Sequence, residues 1–385
     1  MRYFFKHLII SILLGLFPSQ AHCFDAPLAA KTGGEDYPHI LKTDEFSLNT
    51  RNIKVLTSQD KYLWMGTSNG IIRYDTTTAN AYEIFDNQNA LLSNGIFAIV
   101  MDKNQNPWVG TYAGGLSHFD GNRWINFNTP NGLCDAFVYD IAFTGDTTWI
   151  ATWSGVNRVR GNLSSRASWE TFTHENTKGG LIDDWVYAIE LGKDGRVWFG
   201  TESGVSVFDG TQWQKWNHAN GLGAGIELVK QDNEGTMSQF KGVHHTTHSP
   251  DLPNVESGDY RPNYVVSMLM DQKQRLWIGT WGGGLSVLDT ATLQFRNFTV
   301  KDGLPGNFIL ALKEGPFGNL WIGSNGGLTR FDGNTFLNFS EINGLAGSFI
   351  FSIEFGPGHS LWTGSHNAMN RFQFDPASRE LIKFD

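Results

Sequence analysis

The chain is 385 residues long, more than one hydrophobic core usually serves, so it is built either of two domains or of repeats. Charged residues are scarce at 17%, aromatics reach 14%, and 44 glycines call for many tight turns between short strands, an all-β profile. A net charge of −9 with no basic run argues against nucleic acid as a partner.

In chain order, the first expected element is a signal peptide over residues 1–23. Basic Arg2 and Lys6 precede an apolar stretch from Leu8 to Phe17, then Pro18 and small or polar residues. Cleavage after Ala21 and cleavage after Cys23 both fit. That stretch is too short to span a bilayer comfortably, and no later segment is long and apolar enough, so a soluble periplasmic or secreted protein is expected. Gln20-Ala21-His22 lacks the Leu and the small residue that precede a lipobox cysteine, which argues against lipidation at Cys23. If Cys23 leaves with the leader, Cys134 remains as a lone thiol and no disulfide holds the fold.

Residues 24–45 read as a lead-in, and residues 46–385 carry a repeat. Its core is a strand of LWIGT type, centred on Trp64, Trp108, Trp149, Trp198, Trp277, Trp321 and Trp362. The steps between these tryptophans are 44, 41, 49, 79, 44 and 41 residues. A period in the forties with several short strands per unit predicts a single seven-bladed β-propeller of four-stranded antiparallel blades. One unit shows the four strands as Asn94 to Met101, Pro107 to Thr111, Gly115 to Asp120 and Arg123 to Asn128. Asp120-Gly121, Asp209-Gly210 and Asp332-Gly333 mark hairpin turns between third and fourth strands. The strands alternate little between polar and apolar, as expected where stacked blades bury both faces. Fourth-strand aromatic pairs, Trp124 with Phe127 and Trp213 with Trp216, are spaced by three, which suggests inter-blade packing with a local bulge. Tyr37 to Asn52 resemble a worn fourth strand and loop, so the N-terminus is expected to take part in closing the ring.

With these motifs laid out, the chain resembles the bacterial two-component regulator propeller repeats. Their consensus runs as a Gly-Leu loop, an inner strand, Asp-x-x-Gly-x-Leu-Trp-Ile-Gly-Thr, Gly-Gly-Leu and an aromatic-Asp-Gly turn. The segment Leu320 to Gly333, LWIGSNGGLTRFDG, is close to that pattern, and the resemblance covers about residues 46 to 385. It implies the periplasmic sensor half of hybrid histidine kinases, binding ligands, commonly glycans, at the blade tips. The chain departs from those receptors in showing no transmembrane, kinase or DNA-binding segment up to Asp385.

Function is sought in residues that do not repeat, because propellers host unrelated activities. The turn between second and third strands carries Tyr112, Trp153, Glu202, Trp281, Asn325 and His366 at one position. Residues entering the inner strands add Phe137, Trp185, Tyr264, Phe308 and Phe349, with Asp135, Asp183 and Asp184 beside them. Flat aromatics next to hydrogen-bonding groups suit sugar or peptide ligands, although the same rings could merely plug the axis. Asp140 stands where other inner strands have small residues, so it reads first as a hydrated or hydrogen-bonded group in a wet channel, with a bound cation or ligand amine as the alternative. Cys134 reads as a small filler.

The 79-residue step marks an insertion over residues 226–260. Its His244, His245 and His248, with Asp251, Glu256 and Asp259 downstream, form a candidate divalent-metal site, the plain alternative being a solvated loop. No other cofactor is expected. The leading expectation is a monomeric, noncatalytic binding or sensor module for a glycan, peptide or protein ligand, with a membrane signalling partner. The alternatives are a metal-assisted lyase or hydrolase with its site near the channel mouth, and a protein-interaction scaffold using the insertion or an edge.

Overall fold

Each copy of the tryptophan motif becomes the second strand of a small antiparallel sheet, and seven such sheets follow one another along the chain. The computed structural model describes residues 41–42, 52–78, 81–233, 260–366, 368–374 and 381–383. The expected signal peptide, Cys23 and the three clustered histidines lie outside the described residues. In the second blade the strands are Ile96–Met101, Pro107–Thr111, Leu116–Phe119 and Trp124–Phe127, paired in sequence order. The inner strands Ile53–Gln59, Ile96–Met101, Val138–Thr144, Val186–Leu191, Arg261–Met270, Ile309–Glu314 and Ile350–Gly356 touch in succession, and the last meets the first. The fold is a seven-bladed β-propeller.

At the closure the N-terminal segment takes part, as expected, through Asn52, which bridges His366 of the last blade. Leu381–Lys383 supplies the fourth strand of the last blade, while Leu41–Lys42 pairs with Ala81 and Tyr82 as a fifth, outermost strand of the first. The N-terminal strand therefore widens blade one, because the last blade already holds its own fourth strand. The seam itself is closed by packing: Trp362 joins Ile53, Leu56, Leu63 and Met65 in one apolar cluster, and Ser352 Oγ donates to the Ile53 carbonyl at 3.1 Å.

The repeated tryptophans are fully or nearly fully buried, and in the first six blades each takes part in a ring stack within its blade. Trp64 lies over Phe85, Trp149 over Phe172, Trp198 over Trp216 and Trp321 over Phe339, with centroids 5.6 to 6.0 Å apart. Such offset stacks add to the burial of large apolar area. The glycine after the tryptophan serves a different need. A Cβ on Gly110 would stand 2.6 Å from the Val138 carbonyl oxygen of the next blade, and one on Gly323 would stand 2.5 Å from that of Ile350. The motif thus fixes how closely the next inner strand approaches.

The fourth-strand aromatics pack between blades as expected, but without a bulge. Trp213 touches Phe172 of the preceding blade, while Trp216 belongs to the cluster shared with Val265, Met268 and Phe295 of the following one. Pairing from Val205–Trp216 to Phe208–Trp213 is unbroken. A spacing of three on a regular strand puts the two rings on opposite faces, which is what a blade between two neighbours requires.

The insertion begins as a helix, Ile226–Asn233, rather than as a loop. Val229 is fully buried against Ala224 and Tyr260, and the Tyr260 hydroxyl donates to the Ala224 carbonyl at 2.8 Å.

Candidate functional site

The loops entering the inner strands and the turns between second and third strands share one face. Their backbones are joined across blades: Gly115 N–H donates to the Ala136 carbonyl, Gly155 to Asp184 and Gly284 to Asn307, at 2.7 to 2.9 Å. The turn glycine must have positive φ, +110° at Gly155, and a Cβ there would meet the Phe172 carbonyl oxygen at 2.3 Å. A rigid frame therefore carries the residues that vary.

Every inner strand skips one residue in its pairing with the second strand, for example between Val138 and Asp140 and between Val186 and Ala188. The skipped residues are Lys54, Phe97, Tyr139, Tyr187, Val266, Leu310 and Phe351, and each is partly exposed where the residue before it is buried. A bulge re-aims one side chain. Here it turns these seven toward the axis, and Lys54, Phe97, Tyr139 and Tyr187 of four neighbouring blades touch in succession.

The contacts form a continuous row of rings. Phe97 lies 4.6 Å from Tyr139, Tyr139 4.8 Å from Tyr187 and Tyr187 4.9 Å from Tyr264, between centroids. Tyr264 stacks on Trp281 at 5.6 Å, and Trp281 meets Phe308 edge-on at 5.5 Å. A second row lies on the turns: Tyr112 to Phe137 at 4.6 Å, Phe137 to Trp153 at 4.7 Å and Trp153 to Trp185 at 5.2 Å, all edge-on. The contact of Phe97 with Tyr112 at 5.8 Å ties the two rows together.

Polar groups border this surface on one side. Arg261, paired in register with Trp281, donates from Nη1 to Glu202 Oε1 at 3.2 Å. The Tyr187 hydroxyl donates to that of Tyr264, and burial pushes the Tyr264 phenol up to about 12. Burial, with Glu202 and neighbouring phenols adding to it, raises Tyr139 and Tyr187 further. All three hydroxyls are protonated at neutral pH and able to donate.

Of the residues singled out in the sequence, the structure brings Tyr112, Trp153, Trp185, Tyr264 and Trp281 into the two rows and sets Glu202 beside Tyr187 through Arg261. Three others lie apart. Asn325 Oδ1 accepts from the Phe308 amide of its own blade at 3.2 Å. His366 Nδ1 hydrogen-bonds Asn52 Oδ1 at the ring seam. Asp140 accepts the amide of Ile189 in the next inner strand at 2.7 Å. The acidic loop residues hold their own loops: Asp135 accepts from the Phe137 amide and the Ser154 hydroxyl, and Asp183 from the Trp185 amide and the Ser203 hydroxyl.

Phe97, Tyr139, Tyr187 and Lys54 were missed by sequence reasoning. Their signal was the second residue of each inner strand, visible in the parallel strings FVYD, WVYA and FIFS, but only a bulge gives that position a channel-facing role. Cys134 is partly buried, its Sγ 3.1 Å from Thr152 Oγ1, and burial raises its thiol to about 11. Among the described residues no group of three or more His, Cys, Asp or Glu side chains could hold a metal ion.

The two-component regulator propeller model matches residues 180–203, 259–282 and 303–326, each an inner-strand entry followed by its second strand. At these three segments the chain carries the two-component regulator propeller repeat. A relative in Formosa agariphila, "Histidine kinase P4", is 22% identical in an alignment 320 residues long that covers 69% of this chain and 21% of that protein. Among solved structures, the extracellular domain assigned to the hybrid two component system BT3049 of B. thetaiotaomicron has a TM-score of 0.68 at 21% identity. The overlap covers 88% of this chain and 42% of that one. The extracellular domain assigned to the one component system BT4673 of the same organism gives 0.60 at 19% identity, over 89% and 42% of the two chains. The chain thus spans about a fifth of the curated relative and about two-fifths of these two structures. At such identities the likeness to the solved domains concerns the fold.

Proposed function

We propose that the chain is an exported, periplasmic or secreted, ligand-binding sensor propeller, and that it takes a glycan or peptide on the loop face over blades two to five. The observation that carries this reading is the double aromatic row from Phe97 to Trp281, bordered by Glu202, Arg261 and tyrosyl hydroxyls. Ring faces and edges offer apolar contact, while the hydroxyls and the ion pair offer a few placed hydrogen bonds, the combination typical of binding sites. The family and its likeness to extracellular domains of signalling systems support a sensor role, with a membrane-bound partner receiving the signal from a propeller monomer. Binding to a glycan and peptide array tests it. The Trp153→Ala, Trp281→Ala double variant is expected to lose binding while keeping its fold, and unchanged binding by that variant would sink the reading.

A further inference from the structure

Of the seven residues turned inward by the inner-strand bulges, six are apolar or aromatic and one, Lys54, is a cation. Its Nζ lies 4.5 Å from the centroid of Phe97, the ring that begins the row leading to Trp281. Two other lysines have carboxylate partners: Lys61 pairs with Asp75 at 2.7 Å and Lys313 with Glu354 at 2.6 Å. Among the described residues Lys54 has the ring face and no carboxylate. Burial lowers its ammonium from the usual lysine value, and no neighbouring negative charge offsets that. At the other end of the row the cation, Arg261, already has Glu202. A partly desolvated ammonium without an anion is costly, and a bound anion would relieve it.

We infer that Lys54 is an anion subsite of the channel mouth and that the ligand is an acidic oligosaccharide, its carboxylate or sulfate on Lys54 and its sugar rings along Phe97, Tyr139 and Tyr187. The inference rests on the loop face being the binding surface, as proposed above. A saccharide suits the row better than a peptide, because rings recur at 4.6 to 4.9 Å with a protonated hydroxyl on each tyrosine. That repetition matches a chain of units each having an apolar face and a hydroxyl-bearing edge.

The test is calorimetric titration of the whole chain with four saccharides and a peptide. The saccharides are an oligogalacturonate, its carboxyl-reduced form, a sulfated oligosaccharide and its desulfated form, and the peptide is oligoglutamate. An acidic saccharide is expected to bind at least about tenfold more tightly than its neutral counterpart, with affinity falling as salt rises. Lys54→Met, which keeps the aliphatic stem over Phe97, is expected to abolish that preference while retaining weak binding of the neutral form. Lys54→Arg is expected to restore most of it. Equal binding of acidic and neutral forms, or a preference that survives in Lys54→Met, overturns the inference. So does oligoglutamate binding in place of the saccharides, or binding of none of the probes. The broader binding function stands or falls separately, on the array test with the Trp153 and Trp281 variants.

Discussion

Asp140 accepts the Ile189 amide across the seam between blades three and four, at 2.7 Å, as well as the amide of its neighbour Ile141 at 2.8 Å. The physical reason lies in the fold. An inner strand is an edge strand, and its channel side carries amides and carbonyls that no further strand satisfies. Nonrepeating polar residues of one blade meet that need on the next: Thr57 donates to the Ile99 carbonyl at 2.6 Å, Glu190 accepts the Met270 amide and Glu354 the Ser58 amide. Polar residues facing the channel therefore act first as clips between blades.

A pH dependence follows from two of these clips. Burial raises Asp140 to about 7 and Glu190 to about 8, the charge of Asp140 adding to the rise at Glu190. Both bind protons more tightly in the folded than in the unfolded chain, so their contribution is fullest below the ordinary carboxylate range and is lost as pH rises through 7 and 8. The melting temperature is expected to fall between pH 5.5 and pH 8.5 by about 2 °C or more, and the Asp140→Asn, Glu190→Gln variant to show a flatter profile. A double variant with the wild-type slope would contradict this assignment.

Gly110→Ala tests the inter-blade approach. The added Cβ would lie 2.6 Å from the Val138 carbonyl oxygen and 2.9 Å from its Cγ1, so the blades must part, at a cost of about 1–3 kcal/mol in denaturant unfolding. A cost within error of zero would show that the seam gives freely. Blade three already carries Ala151 at this position, fully buried, so the constraint belongs to each seam rather than to the motif as such.

The two kinds of tryptophan should separate cleanly. Trp277→Ala removes a framework ring that is 2% exposed and stacked on Phe298, and is expected to cost about 3–5 kcal/mol of stability. Trp153→Ala, on the turn above the channel, is expected to cost markedly less stability while weakening ligand binding. Equal losses of stability in the two variants, measured by chemical denaturation, would contradict the division.

Cys134 should react slowly with a thiol reagent at pH 7.5, because burial keeps it a thiol up to about 11. Rapid labelling without denaturant would show that the loop Gly132 to Asp135 opens readily.

These contrasts explain what was legible in the sequence. The tryptophans and glycines repeat because every seam has the same geometry, so period and motif together led to seven four-stranded blades. The turn aromatics were legible for the opposite reason, as Trp153 and Trp281 break the repeat at a fixed position. Tyr139 and Tyr187 were not, because their direction depends on a register skip that no residue type announces. That Asp140 is hydrogen-bonded was the expected reading, but its partner was not legible, because the Ile189 amide lies 49 residues away and is a backbone group. The fourth-strand pairs were misread as bulged because a spacing of three is odd only for a sheet with one buried face.

If the aromatic double row over blades two to five is the binding surface, a crystal structure with an array-identified ligand will show it. Ligand density is expected against Tyr139, Tyr187 and Trp281, within hydrogen-bonding distance of Glu202 or Arg261. Density on the opposite face, or along the outer strands with the aromatic rows untouched, would contradict it.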